Sequence, residues 1–171
     1  MKVLTVLVPT YNVEKYLRRC LDSLLLPEVL EEIEVLVVND GSKDGSADIA
    51  RAYEKKYPQT VVFVDKENGG HGSTINVGIE KAQGTYFKVL DSDDWVNIGD
   101  FIEFIKRLKE ETADAVICDY RKEHVYNGKS EYFEYKDLED GKKYNLNEID
   151  LNIFHDGNDD LPYGSSACIR T

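Results

Sequence analysis

The sequence predicts an α/β fold in which helices flank a mostly parallel sheet, with a small β-hairpin region after residue 120. Two observations predict this fold. Short runs rich in Val, Leu and Ile alternate, over the first 120 residues, with segments whose apolar residues recur every three or four positions. The runs Val3–Val8 and Ile33–Val38 are almost continuously apolar, which is typical of strands buried on both faces. Strands that alternate with helices are joined by crossovers and therefore lie parallel.

Five strands and four helices follow from this pattern. The strands are predicted at Val3–Val8, Ile33–Val38, Val61–Val64, Tyr86–Leu90 and Ala115–Tyr120. The helices are predicted from Val13 to Leu25 before Pro27, from Ser46 to Pro58, from Ser73 to Gln83 before Gly84, and through Phe101 to Leu108.

The character of the sequence changes after Tyr120. Asn127-Gly128 is typical of a hairpin turn, because both residues tolerate positive φ, and Ser165–Arg170 is predicted to form a last strand. We therefore divide the chain into a ligand-binding subdomain over residues 1–120 and a second region over residues 121–171.

Length, charge and cysteine content limit the classes of function. The 171 residues suit about one domain, and the formal net charge of −12 argues against a passive nucleic-acid binder, which needs clustered Lys and Arg. No apolar run approaches the roughly 20 residues of a membrane-spanning helix. Three widely spaced cysteines without a CxxC motif indicate reduced thiols and a cytoplasmic protein.

The residues that follow the predicted strands are polar and rich in glycine. They are Pro9 to Asn12, Asn39 to Ser46, Asp65 with the Asn68 to Gly72 loop, and Asp91 to Asp94. Ligands of parallel sheets bind beyond the carboxyl ends of the strands, so these segments should share one site.

The run Asp91-Ser92-Asp93-Asp94 predicts a metal site. Three carboxylates within four residues repel one another unless a cation or hydrogen bonds neutralise them. Asp91 and Asp93 point to the same side of an extended segment, and two carboxylates suit Mg²⁺ or Mn²⁺, which complete their shell with water and substrate phosphates. The alternative is a solvated acidic turn that caps the next helix.

Two common ways of binding phosphate are missing. A dinucleotide fold needs GxGxxG after the first strand, where this chain has Pro9-Thr10-Tyr11-Asn12, and no Gly-Lys-Ser/Thr follows the glycines of the Asn68 to Gly72 loop. Without such a Gly-rich cradle, a carboxylate-held metal is the obvious way to neutralise a diphosphate. Asp40, at the end of the second strand, suits a hydrogen bond to a ribose or a base, although an Asx-turn or a helix cap is the alternative.

Taken together, these motifs resemble those of family-2 glycosyltransferases. The matching segments are Val8 to Asn12, Asn39-Asp40-Gly41-Ser42 with Asp44-Gly45-Ser46, Asn68-x-Gly70 with Asn76-x-Gly78, Ala82-x-Gly84, and Leu90 to Asp94. The resemblance covers roughly residues 1–120. It implies a GT-A type fold with a Rossmann-like sheet, an NDP-sugar donor such as a UDP-sugar, a divalent metal (Mn²⁺ or Mg²⁺), and inversion at the anomeric carbon.

The resemblance also implies a role for individual residues. Thr10 and Tyr11 would line the base pocket, with Pro9 shaping the turn. Asp40 would bind the base. The other nucleotide-sugar-binding candidates are Asn68, Gly70, Asn76, Asp91 and Ser92, and the metal ligands would be Asp93 and Asp91.

The chain departs from the family pattern at one cationic position. Many members carry Arg just before the residue that matches Asn76, near the diphosphate, whereas this chain has Ile75. That positive contact is therefore absent or supplied by Lys66, His71 or Lys88. Trp95, just after the acids, suits either stacking on a sugar ring or anchoring the next helix.

The resemblance makes residues 1–120 the subdomain that binds the nucleotide-sugar donor and residues 121–171 the start of the acceptor-side region, which departs further from the family pattern. In the family a base, often in a Glu-Asp pair, follows the strand that Ser165–Arg170 resembles, but this chain ends at Thr171. Asp159 and Asp160 are the weak candidates, with Asp156 nearby. We expect this chain to be a fragment that lacks the catalytic base and transfers sugar weakly or not at all. The alternatives are a non-catalytic nucleotide- or carbohydrate-binding module and a nucleotidyltransferase.

The partners implied by the resemblance are an NDP-sugar donor and a saccharide or glycolipid acceptor, with a cell-surface polysaccharide or glycolipid as product. Nucleic acid is not expected. The sequence leaves open a homodimer, and peripheral association of the full-length protein with the inner face of the membrane.

Overall fold

The computed structural model describes residues 1–124, 126–135, 138–145 and 167–171. Its strands are β1 (Leu4–Thr10), β2 (Ile33–Asp40), β3 (Val61–Lys66), β4 (Tyr86–Val89), β5 (Ala115–Ile117), β6 (Tyr120–His124), β7 (Lys129–Phe133) and β8 (Ala167–Arg170). Its helices are α1 (Leu17–Leu24), α2 (Ser46–Lys56), α3 (His71–Lys81) and α4 (Ile98–Glu110).

A six-stranded sheet has the strand order β3-β2-β1-β4-β8-β5, and β6 and β7 form a separate antiparallel pair. Strands β3, β2, β1 and β4 are parallel, whereas β8 runs antiparallel between β4 and β5. This arrangement confirms the predicted α/β class, the mostly parallel sheet and the separate hairpin.

The core lies around β1 and β2, which are buried along their whole length. The apolar faces of α1 and α4 pack against one side of these strands, through residues such as Leu21 and Ile105. A Cβ on Gly84 would lie 2.4 Å from the amide nitrogen of Thr5, so only glycine fits where the chain leaves α3 for β4. The loops at the carboxyl edge therefore rest on a closely packed sheet.

The structure corrects three element boundaries. α1 begins at Leu17 and not at Val13, because the Val13 amide donates to the Ser46 hydroxyl (2.9 Å) and holds the preceding turn against the start of α2. The helix predicted from Ser73 begins at His71.

The third correction concerns the strand predicted over residues 115–120. It is two strands: β5 ends at Ile117 and β6 begins at Tyr120 in the other sheet. The Asp119 carboxylate between them accepts a hydrogen bond from the Tyr135 amide (3.1 Å), which ties the turn to the hairpin. The hairpin turn is confirmed at Asn127 and at Gly128, where φ is +66°.

The last strand is confirmed over Ala167–Arg170, whereas Ser165 lies outside the described residues. Within the described ranges, no helix is long and apolar enough to cross a bilayer.

Candidate functional site

The carboxyl ends of β1 to β4 meet at one edge of the sheet, as the sequence predicts. Thr10 pairs in register with Asn39, and Asp40 pairs with Lys66. Asp91 follows two residues after β4, which is the other neighbour of β1. The polar segments singled out in the sequence therefore surround one edge.

Asp40 is the centre of a compact network. Its side chain is buried, and its Oδ1 accepts hydrogen bonds from the Lys66 ammonium and the Gly69 amide (2.9 Å), while Oδ2 accepts one from the Gly70 amide (2.8 Å). The Asn68 side-chain amide donates to the Asp40 carbonyl (3.0 Å). Burial alone would raise the pKa of Asp40, but these donors hold it below its ordinary value.

Lys66 completes this network from β3. Besides Asp40, its ammonium donates to the Glu67 carbonyl (2.6 Å) and the Ser73 hydroxyl (2.9 Å). An ammonium has three donors, so all three have partners within the protein. Lys66 was one of three residues that the sequence offered as a diphosphate contact in place of Arg at position 75. The structure gives it a different task, which is to hold the Asp40 loop.

The other two candidates for that contact lie in contrasting places. His71 is exposed at the start of α3. Lys88 is buried on β4, where its positive charge acts on Asp94 and on two cysteines, Cys118 and Cys168.

The loops after β1 and β2 are clasped together, a feature that sequence reasoning missed. The Asn12 amide donates to the Ser42 hydroxyl (3.0 Å), and the Asn12 side-chain oxygen accepts from the Lys43 amide (2.8 Å). The Glu14 carboxylate accepts from the Gly45 amide (2.6 Å). The signal was the concentration of Asn, Ser and Asp in both segments, whose side chains readily bond to backbone groups.

The residues predicted to line the base pocket directly precede this clasp in the chain. Pro9 and Thr10 are buried, and the Thr10 hydroxyl donates to the Val8 carbonyl (3.1 Å). Tyr11 is 51% exposed at the rim. Asn76 lies on the exposed side of α3, the helix that follows the Asn68 to Gly70 loop.

The acids after β4 form the second part of the site. Asp91 is half-buried, Ser92 is buried, and Asp93 and Asp94 are exposed. The segment is a turn and not the extended stretch expected from the sequence, which would have placed Asp91 and Asp93 on one side, because the Asp94 amide donates to the Asp91 carbonyl (2.9 Å). The Cys20 thiol of α1 also donates to this carbonyl (3.8 Å), so the turn rests against α1.

The negative charge of this turn is only partly balanced. In the described part of the chain, no hydrogen bond or ion pair reaches the carboxylates of Asp91, Asp93 or Asp94. Although Asp94 reaches solvent, partial desolvation of its carboxyl, and then the nearby Asp93 and Asp91, raise its pKa to about 6, and Lys88 opposes the rise. Burial, followed by the same three carboxylates, also raises the pKa of the Cys20 thiol.

These acids fit a cation that is shared with a ligand. Among the described residues, no three His, Cys, Asp or Glu side chains converge as a protein-only metal cage would require. Mg²⁺ and Mn²⁺ need only one or two carboxylates when substrate phosphates supply the other oxygens. Asp91 and Asp93 fit that donor set, and the unrelieved charge of the turn favours a cation there.

The candidate bases cannot be placed in this site. Asp156, Asp159 and Asp160 lie outside the described residues.

Comparison with known proteins identifies the family. The model of glycosyl transferase family 2 matches residues 5–161, which is most of the chain. The chain belongs to this family. Membership decides against the nucleotidyltransferase alternative and agrees with the resemblance of the motifs.

Three comparisons with individual proteins are informative. The putative glycosyltransferase EpsH of Bacillus subtilis is 41% identical over 126 residues, which are 74% of this chain and 36% of EpsH. The S. aureus TarS 1–349 structure in complex with UDP-GlcNAc has a TM-score of 0.61 at 33% identity, over 75% of this chain and 36% of that one. The mannosyltransferase PcManGT from Pyrobaculum calidifontis, in complex with GDP-Man and Mn²⁺, has a TM-score of 0.57 at 26% identity, over 72% of this chain and 36% of that one.

The two structural neighbours are glycosyltransferases that share the mostly parallel α/β sheet, which confirms the GT-A type of fold. The chain spans little more than a third of the length of EpsH and of each neighbour.

Proposed function

We propose that this chain carries the donor-binding part of an inverting, metal-assisted glycosyltransferase that uses an NDP-sugar, with a UDP-sugar as the first candidate. The observation that carries the proposal is the placement, at one sheet edge, of a loop ordered by Asp40 and of an acid cluster whose carboxylates have no hydrogen bond or ion pair among the described residues. The complexes of the structural neighbours with UDP-GlcNAc and with GDP-Man and Mn²⁺ support a nucleotide-sugar ligand.

The nucleotide would lie over the ends of β1 and β2. Thr10 and Tyr11 would line the base pocket, and Pro9 would set the direction of the turn. Asp40 has capacity for a ligand, because Oδ2 accepts one hydrogen bond from the protein and a carboxylate oxygen can accept two. An N–H group of the nucleotide's base can donate to the second acceptor position of Oδ2.

The floor of the nucleotide site would come from Asn68, Gly70 and Asn76. Gly70 adopts a φ of +83°, which favours glycine, and its amide is turned toward Asp40. Asn68 is held by the Asp40 carbonyl. The loop is therefore ordered before a ligand arrives, which lowers the entropy that binding must offset.

Asp91 and Asp93 would hold the divalent metal. Bound there, Mn²⁺ or Mg²⁺ would neutralise the charge that develops on the departing diphosphate. Ser92 is buried between the two acids and would fix the backbone that aims them. Asp94 would support the turn or orient the donor.

An inverting transfer needs a base that takes the proton of the acceptor hydroxyl as the nucleoside diphosphate departs. Asp159 and Asp160 stay candidates for that base. We propose a saccharide or glycolipid as acceptor, because a sugar hydroxyl is the nucleophile that this chemistry needs.

Calorimetric titration with UDP, GDP and CDP, each with and without Mn²⁺, tests the donor site. We expect one nucleotide to bind more tightly than the other two, and its affinity to rise when Mn²⁺ is present. The variant Glu103→Gln, changed on the exposed face of α4, serves as a control that should bind like the wild type. If all three nucleotides bind with the same affinity, or none binds, and Mn²⁺ makes no difference, the proposal is overturned.

A further inference from the structure

An open cleft of about 360 Å³ lies beside the acid cluster, between α1 and the β6–β7 hairpin. Its lining residues are Arg19, Trp95, Arg121, Glu123, His124 and Gly128, and we call it the Arg19–Trp95 cleft. Trp95 directly follows Asp94, so the cleft adjoins the proposed metal site along the chain. None of its lining residues has a role in the proposed donor site.

Arg19 is arranged to bind an anion. Its Cζ atom lies 3.2 Å from the centre of the Trp95 ring, a cation–π contact that restrains the side chain. Stacking uses the face of a guanidinium and leaves its N–H donors, which point outward in the plane, for a carboxylate or phosphate. Across the described ranges, no carboxylate lies within ion-pair distance of Arg19.

Glu123, the acid that lines the cleft, already has partners within the protein. Glu123 pairs with Arg121 (2.7 Å) through Oε1 and accepts a hydrogen bond from the Ser130 hydroxyl (2.6 Å) through Oε2. His124 lies 2.9 Å from Glu131, outside the lining. Arg19 therefore contributes a positive charge that the cleft itself does not cancel, in a chain with a net charge of −12.

We propose that the Arg19–Trp95 cleft binds a phosphate or carboxylate group carried by the sugar acceptor. The assignment to the acceptor rests on the proposed function, in which the donor diphosphate is held by Asp91 and Asp93. A negative group in the cleft would form a two-pronged contact with the Arg19 guanidinium, with His124 and Arg121 at the opposite wall. The acceptor would then be an anionic glycan or a lipid with an anionic headgroup.

Trp95 is the only tryptophan in the chain, so its fluorescence reports on this cleft. Glucose 6-phosphate and glucose, which share a ring and differ in charge, are the soluble probes. We expect a saturable fluorescence change with glucose 6-phosphate and none with glucose at equal concentration. Vesicles of phosphatidylglycerol, compared with phosphatidylcholine, test a lipid source of the same charge. Glucuronate, which carries a carboxylate on the same kind of ring, is the third anionic probe, and no response to any of the three would overturn the proposal.

Variants of Arg19 test its role. Arg19 is exposed, so Arg19→Gln should fold, and it should weaken glucose 6-phosphate or phosphatidylglycerol binding by about tenfold. Arg19→Lys keeps the charge and loses the planar fork, and we expect an intermediate loss. Arg107→Gln removes an exposed arginine of α4 and should bind like the wild type. Wild-type affinity in Arg19→Gln would overturn the proposal.

Competition with UDP separates this inference from the donor proposal. With UDP and Mn²⁺ bound, the response to the anionic probe should persist. If UDP abolishes it, the cleft belongs to the donor diphosphate and the acceptor assignment is wrong. If UDP binds but the anionic probes cause no fluorescence change, only the proposal for the cleft is refuted. If the anionic probes cause a fluorescence change but no nucleotide binds, the donor proposal is refuted, and the assignment of the cleft to an acceptor fails with it.

Discussion

Two acidic regions at the same sheet edge differ in how their charge is balanced. Asp40, at the end of β2, has an ammonium and two backbone amides on its carboxylate, and its pKa lies below the ordinary value. Asp94, after β4, lies beside two other carboxylates, and its pKa is raised to about 6. The charge of the first region is balanced by groups of the protein, whereas among the described residues no cation pairs directly with the carboxylates of the second.

The difference assigns different physical tasks to the two regions. A carboxylate satisfied by the protein orders a loop and stabilises the fold. A cluster of unsatisfied carboxylates costs stability and gains affinity for a cation. Removing an acid from the first region should therefore weaken the protein, and removing one from the second should not.

The largest expected effect on stability is that of Asp40→Ala. The change leaves the Lys66 ammonium, whose side chain is only 20% exposed, without its carboxylate, and leaves two amides without acceptors. We expect the free energy of unfolding, measured with urea, to fall by about 3 kcal/mol. Glu103→Ala, which breaks an exposed pair with Arg107, should cost less than about 0.5 kcal/mol. Equal losses in the two variants would contradict the account.

The pH dependence of the same variant sharpens the comparison. The pKa of Asp40 is lower in the folded than in the unfolded protein, so its contribution is present above the unfolded value, about 4, and is lost as pH falls through the folded value. The difference in unfolding free energy between wild type and Asp40→Ala should therefore narrow from pH 7 to pH 3. A difference that stays constant over this range would show that the charge of Asp40 is unimportant.

The clasp between the β1 and β2 loops predicts a smaller effect. Ser46 is buried and its hydroxyl accepts from the Val13 amide, so Ser46→Ala should lower the free energy of unfolding by about 1 kcal/mol. Ser42→Ala, which removes an exposed bond to the Asn12 amide, should cost less in the same urea titration. A larger loss in Ser42→Ala would show that the exposed Asn12–Ser42 bond, and not the buried Val13–Ser46 bond, contributes more to stability.

The sequence predicted the fold more completely than the partners within the site. Apolar runs and glycines placed β1 to β4 and their shared edge, because burial on both faces leaves a clear pattern. The parallel neighbours of β1 formed as expected, whereas the break at Cys118 and Asp119 has no such signal, since it depends on pairing with β8 and β7. Long-range pairing of this kind is set by the assembled sheet and not by local pattern.

The tasks of individual charges were harder to predict. From the sequence alone, the Lys66 ammonium could bind a phosphate or a carboxylate. The register of β2 and β3 places it opposite Asp40, with which it pairs. Asp91 to Asp94 were recognisable as an acid cluster from their spacing alone. That no described group bonds to their carboxylates is a property of the folded chain, and their metal-binding roles stay predictions.

The smallest expected effect on stability comes from the acid cluster. Without metal, Asp93→Asn removes repulsion with Asp91 and Asp94 and keeps the shape of the side chain. We expect the free energy of unfolding to stay unchanged or to rise by up to about 0.5 kcal/mol, measured with urea in the presence of EDTA. A loss as large as that of Asp40→Ala would remove the contrast between the two regions.

The central claim is that Asp91 and Asp93 bind a divalent metal that contacts the donor diphosphate. Calorimetric titration of wild type and Asp93→Asn with UDP, with and without Mn²⁺, tests it most directly. Loss of groups that only support metal ligands costs about 10–100-fold in metal affinity, so loss of a direct ligand should abolish most of the Mn²⁺-dependent gain in UDP affinity. The account predicts that gain in the wild type and its loss in Asp93→Asn. An equal gain in both proteins, or none in the wild type, would contradict it.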